Sequence, residues 1–115
     1  MAKVEIDLNA LKTTDLRILV EADSGAAAGP ESSMLKVKGT IIRQAINDLA
    51  RRAGGVYAMP FASEALEGAN DMVPDPLSAG PVAAQYFNNR KLSIFGGSNE
   101  IQRSIIAKES LRGGA

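Results

Sequence analysis

The sequence predicts an all-α protein, an antiparallel bundle of three to four helices. Three observations predict it. Apolar residues recur at three-to-four-residue spacing in three separate stretches, the period that lays them along one side of a helix. Breaks rich in Gly and Pro separate those stretches. No run of useful length alternates apolar and polar residues as a half-buried strand does. A chain of 115 residues is one modest domain or a piece of a larger one.

The first helix is predicted from Val4 to about Asp23. Val4, Leu8, Leu11, Ile18 and Leu19 form its apolar stripe, with Lys12, Asp15 and Glu21 on the other side. Thr13-Thr14 is a weak point in its middle, because β-branched residues lower helix propensity. The small-residue loop from Ser24 to Gly29 ends it. Pro30 suits a first helical position and Glu31 the positive first turn, so the second helix is predicted from Pro30 to Ala53. Its apolar positions are Leu35, Ile42, Ala45, Ile46, Leu49 and Ala53, widened by Met34 and Ile41. Gly39 marks either a close helix crossing or a kink. Arg51 and Arg52 oppose the negative helix end, and Gly54-Gly55 is the stop.

Residues 54–81 read as a long Pro- and Gly-rich loop, with one short turn at Ser63–Glu67. The third helical region starts near Gly80-Pro81, carries Val82, Ala83, Tyr86 and Phe87, and runs to about Phe95 before Gly96-Gly97. Ser98 is placed to cap a last helix, with Glu100 in its first turn and Ile101, Ile105 and Ile106 as its stripe. That helix fades at Arg112-Gly113-Gly114.

Composition removes most site chemistries. Lys plus Arg and Asp plus Glu are 13 each, so no net positive field draws nucleic acid or anionic lipid, and no nucleic-acid partner is expected. His and Cys are absent, which removes thiolate nucleophiles, imidazole acid/base catalysis and the common zinc ligands, and no metal is expected. No apolar run approaches the roughly 18 residues of a membrane span, and no signal peptide follows Met1.

The remaining candidates are carboxylates, hydroxyls, cations and the Gly96-Gly97-Ser98 turn. Free amides at a helix start can dock a phosphate or carbonyl, and glycines let a ligand approach the backbone. The same residues also build an ordinary helix–helix turn, with Gly as stop and Ser as N-cap. Arg51-Arg52 and Arg90-Lys91 read as solvated helix ends, Glu100 and Glu109 as solvent-facing. Tyr57, Phe61, Tyr86 and Phe95 read as core or subunit-packing anchors.

Read as one string, Tyr86 to Lys108 resembles the C-terminal signature of the acyl-CoA dehydrogenase family. The dense match is Ile94-Phe95-Gly96-Gly97-Ser98-Asn99-Glu100-Ile101-Gln102-Arg103, followed by Ile106-Ala107-Lys108. Pro30 to Lys36 is similar to the start of a helix in bacterial members. The resemblance implies residues 1–115 as part of the family's C-terminal helical domain, without its N-terminal helical and middle β-domains. The family oxidises acyl-CoA thioesters between Cα and Cβ with FAD, a Glu acting as base and an electron-transferring flavoprotein taking the electrons.

In many members that Glu stands immediately before the Gly-Thr of the turn. Here the position is Gly96, so the resemblance implies either a base upstream of Met1 or a member or fragment with no dehydrogenase activity, and no catalytic residue in this chain. It implies Gly97 beside the acyl thioester, and Ser98, Asn99 and Glu100 near FAD. The isolated chain is expected to be inactive and to bind FAD weakly or not at all, because most contacts lie in the other domains. A homo-oligomer, dimer or tetramer, and a bacterial cytoplasmic location in preference to the mitochondrial matrix are expected. The alternative is a non-enzymatic helical module that self-associates through its apolar faces. A reading frame that continues upstream into a β-domain would separate the two.

Overall fold

The computed structural model describes residues 1–25, 29–61, 63, 67 and 80–112. Among these it is all-helical: α1 (Ala2–Asp23), α2 (Glu31–Gly54), a 3₁₀ segment (Gly55–Ala58), α3 (Gly80–Asn88), a second 3₁₀ segment (Asn89–Ser93) and α4 (Asn99–Arg112). The expected Ser63–Glu67 turn falls mostly outside the described residues, although Glu67 N donates to Ser63 O at 3.2 Å. The start of the predicted loop is a 3₁₀ turn, and the third helical region tightens from α to 3₁₀ after Asn88. The chain forms two compact units, one of Met1–Ile42 with the segment from Leu92 onward, the other of Arg43–Lys91.

In the first unit, α1 leans on the N-terminal half of α2. Lys38 Nζ donates to Asp7 Oδ1 at 2.7 Å. Both partners are partly solvated, so the pair contributes at most about 1 kcal/mol. Val4, Leu8, Leu11 and Ile18 are half-buried, as the stripe predicts, but Leu19 is exposed. Thr13 and Thr14 keep the helix intact by returning their hydroxyls to the carbonyls of Asn9 and Ala10. A Cβ on Gly39 would meet Leu11 Cδ2 at 3.8 Å. Gly39 therefore sits where α2 passes α1, and the space accommodates a methyl group.

The apolar stripe predicted for α2 is only part of its buried surface. Ile42 is buried, and Leu35, Ala45 and Leu49 are half-buried, whereas Met34, Ile41, Ile46 and Ala53 are exposed. The other buried residues of this helix are Ser33, Thr40 and Asn47. Their seven-residue spacing keeps them on one line, and at about 100° per residue that line lies roughly half a turn from Leu35, Ile42 and Leu49. The helix is thus covered on two opposite faces, one apolar and one of short polar side chains. Thr40 satisfies its hydroxyl within the helix by donating to Lys36 O at 2.9 Å. Asn47 Nδ2 and Arg51 Nε, one turn apart, are buried without an acceptor.

In the second unit, the 3₁₀ segment Gly55–Ala58 packs on α3, burying Ala58 and Ala83. Arg51 and Arg90 both lie over the Tyr86 ring, at 5.1 and 4.2 Å from its centroid. Each such contact is worth about 0.5–1 kcal/mol at a partly exposed site. Gln44 Nε2 donates to Asn89 O at 3.3 Å, and Asp48 pairs with Arg52 at 2.9 Å. Arg51 and Arg90 are therefore packing residues rather than simple solvated helix ends. Of the predicted aromatic anchors, Tyr86 is half-buried and edge-on to Phe87, whereas Tyr57, Phe61 and Phe95 are exposed. They form no interior, because the described core is small: Ile42, Ala58 and Ala83 are its buried apolar residues.

Two glycines of α2 predict opposite outcomes. Gly39→Ala removes backbone entropy from the unfolded chain without a clash, and should stabilise by about 0.5–1 kcal/mol. Gly54→Ala would bring a Cβ to 2.7 Å of Ala58 Cβ and should destabilise. Urea unfolding of both variants checks the pair; a destabilised Gly39→Ala would contradict the open crossing.

Candidate functional site

The site residues expected from sequence lie together in the first unit, on the turn that ends the second 3₁₀ segment and starts α4. Gly96 and Gly97 have φ of +61° and +87°, left-handed values that side-chain-bearing residues adopt only with strain. These two residues turn the chain so that Ser98 becomes the N-cap of α4. Ser98 Oγ accepts from Ile101 N at 3.3 Å, and Gln102 N donates to Ser98 O at 3.0 Å. Gln102 then folds back, its Nε2 donating to Gly96 O at 3.3 Å. A Cβ on Gly97 would stand 2.7 Å from that amide nitrogen, whereas one on Gly96 would meet nothing within 4 Å. Position 96 is open in space and restricted only in backbone angle.

Asn99, the first residue of α4, is buried at 8% exposure. Lys36 Nζ, from α2, donates to its Oδ1 at 2.8 Å. Sequence reasoning placed no weight on Lys36, because a single lysine on a helix is ordinarily a solvated charge. The one available signal is its position three residues after the buried Ser33. Glu100 is exposed, and its carboxyl is held below the ordinary glutamate value of 4.5. The first cause is a hydrogen bond from its own backbone N–H, then one from the Ser98 hydroxyl, with Arg103 and Lys36 adding positive potential. Among the last helix's apolar residues, Ile101 and Ile105 are exposed and Ile106 is half-buried, so the predicted stripe of α4 is largely uncovered.

The turn offers neutral donors at a helix start, with Ile94 and Phe95 exposed beside it. Gly97, Ser98, Asn99 and Glu100 are brought together there. A separate shallow groove runs along α1, lined by Thr13, Leu16, Arg17, Val20 and Glu21. It holds none of the turn residues. No described helix is long and apolar enough to cross a membrane.

Glu100 makes the turn acid-sensitive. A carboxyl whose folded value is lowered contributes stability that is complete above the unfolded value and is lost as pH falls through the folded one. Wild-type stability should therefore fall with acidification below 4.5, and Glu100→Gln should reduce that slope. Urea midpoints between neutral and strongly acidic pH check this; identical slopes in the two proteins would contradict it.

No curated protein and no solved structure matches this chain. The family described as acyl-CoA dehydrogenase, C-terminal domain, matches residues 1–111, which include the whole of the turn and nearly all of α4. The helices, the Gly96-Gly97 turn and the matched span agree: the chain belongs to the acyl-CoA dehydrogenase C-terminal domain family.

Proposed function

We propose that this chain is the C-terminal part of an FAD-dependent acyl-CoA dehydrogenase, acting on the Cα–Cβ bond of acyl-CoA thioesters. Its Gly96–Glu100 turn forms one wall of the flavin and acyl-CoA site. The observation that carries this reading is the pair of left-handed glycines leading into the capped start of α4, within the matched span. FAD, when bound, supplies the acceptor for the hydride leaving Cβ, and an electron-transferring flavoprotein is the expected next acceptor.

This chain's own contribution is to bind and orient. The backbone of Gly97 lies beside the acyl thioester, its left-handed angle needing glycine and the Gln102 amide filling the space that a Cβ would take. The backbone N–H groups of Ser98 and Asn99 at the start of α4 present neutral donors to the flavin, and Ile94 and Phe95 offer apolar contact that excludes water from the same wall. Glu100 sits behind the turn, its carboxylate occupied by its own N–H and by Ser98. It is a cap that holds the helix start, not the base. The α-proton is removed by a carboxylate elsewhere in the complete protein, because residue 96 has no side chain.

A second reading, a helical module that self-associates, draws on the exposed Ile6, Leu16, Leu19 and Val20 of α1. That module is non-enzymatic, and an uncovered helix face needs a partner under either reading. Dehydrogenation decides between a cofactor wall and a complete enzyme. The chain alone, with added FAD, acyl-CoA and an electron-accepting dye, should show no substrate-dependent reduction. Clear turnover would place the base within these residues and overturn the assignment of the turn.

A further inference from the structure

Lys36 is the least expected participant at the turn. Ordering a lysine costs side-chain entropy, and here its ammonium meets a neutral amide oxygen rather than a carboxylate. The contact joins residues 63 positions apart and is partly buried. A lysine has donors only, so its bond to Asn99 settles which way the carboxamide faces: Oδ1 toward α2, the NH2 group away from it. At the same turn, Ser98 Oγ and Gln102 Nε2 are engaged by Ile101 N and Gly96 O.

We propose that Lys36 is a positioning residue for the cofactor-facing turn: by holding Asn99 Oδ1 it fixes the first residue of α4 and the orientation of the Asn99 carboxamide. The inference rests on the reading of the turn as a flavin wall. Three parts of the first unit then meet at one point, with α2 supplying the cation, α4 the amide, and the Gly96-Gly97 turn the backbone between them. A hydrogen bond to a charged donor is stronger than one between neutral groups, which is what a clamp at an exposed turn requires.

The test uses the full chain, free of ligand, in wild-type, Lys36→Met and Lys36→Arg forms. Amide hydrogen exchange is read along the chain, together with the side-chain amide NMR signals of Asn99. Lys36→Met should accelerate exchange about tenfold or more at Ile101 and Gln102, leave α1 within about twofold, and move the Asn99 carboxamide signals toward those of an unstructured asparagine. Lys36→Arg retains a donor and should keep both readouts close to wild type. Unchanged exchange in Lys36→Met, uniform acceleration over all helices, or a failure of Arg to restore the Asn99 signals would overturn the proposal. No flavin is present, so that failure removes the clamp and leaves the cofactor reading standing. A turn that flavin does not approach removes the cofactor reading and leaves the clamp.

Discussion

The burial of α2 on two opposite faces is the constraint on which the rest of the structure depends. A helix with one apolar stripe needs a single neighbour, whereas this one needs neighbours on both sides. In the first unit its apolar side meets α1 near Gly39, and its polar side sends Lys36 to Asn99 at the start of α4. In the second unit the same polar line brings Gln44 and Arg51 to Asn89 and Tyr86. The polar line is made of short or hydrogen-bonding side chains, which allow close packing and still offer groups to hold a turn. A wholly apolar second face would bury more surface but would have nothing with which to grip the Asn99 carboxamide.

Among the described residues the buried apolar side chains are few: Ile42, Ala58 and Ala83. Buried donors without acceptors at Asn47 and Arg51 add a cost of about 1–3 kcal/mol each. Meanwhile Leu16, Val20, Ile94, Phe95 and Ile101 stay exposed. These features agree with helix faces that a partner surface would cover. The Gly96-Gly97 turn itself is held by its backbone angles and by the Ser98 cap.

Much of this was legible from the residues. The helix limits moved by only one or two positions, because Gly, Pro and Ser mark them chemically: α2 starts at Glu31 beside Pro30, and α4 starts after Ser98. The turn at Gly96-Gly97 was legible as a place that needs glycine, and the family resemblance carried by Ile94 to Arg103 was shared by the matched domain. The second face of α2 was not legible, since periodicity counts apolar residues and Ser33, Thr40 and Asn47 are invisible to it. Lys36 was missed for the same reason. For Tyr57, Phe61 and Phe95, read as core or subunit-packing anchors, exposure removes the core half of the reading, because aromatic content predicts burial only where the chain has enough neighbours to cover the rings. Arg51 and Arg90 were read by charge alone, and their stacking on Tyr86 depends on a pairing of α2 with α3 that no local pattern encodes.

The central claim is that Gly96–Glu100 faces a flavin. Chemical-shift mapping of the isotopically labelled chain against FAD tests it most directly, since weak binding still moves the signals of residues that touch the ligand. The account predicts shifts confined to the backbone amides of Gly96 to Glu100 and the Asn99 side chain, still growing at the highest ligand concentration reached. Shifts confined to the groove of Thr13, Leu16 and Val20 on α1, or none at the turn, would contradict it.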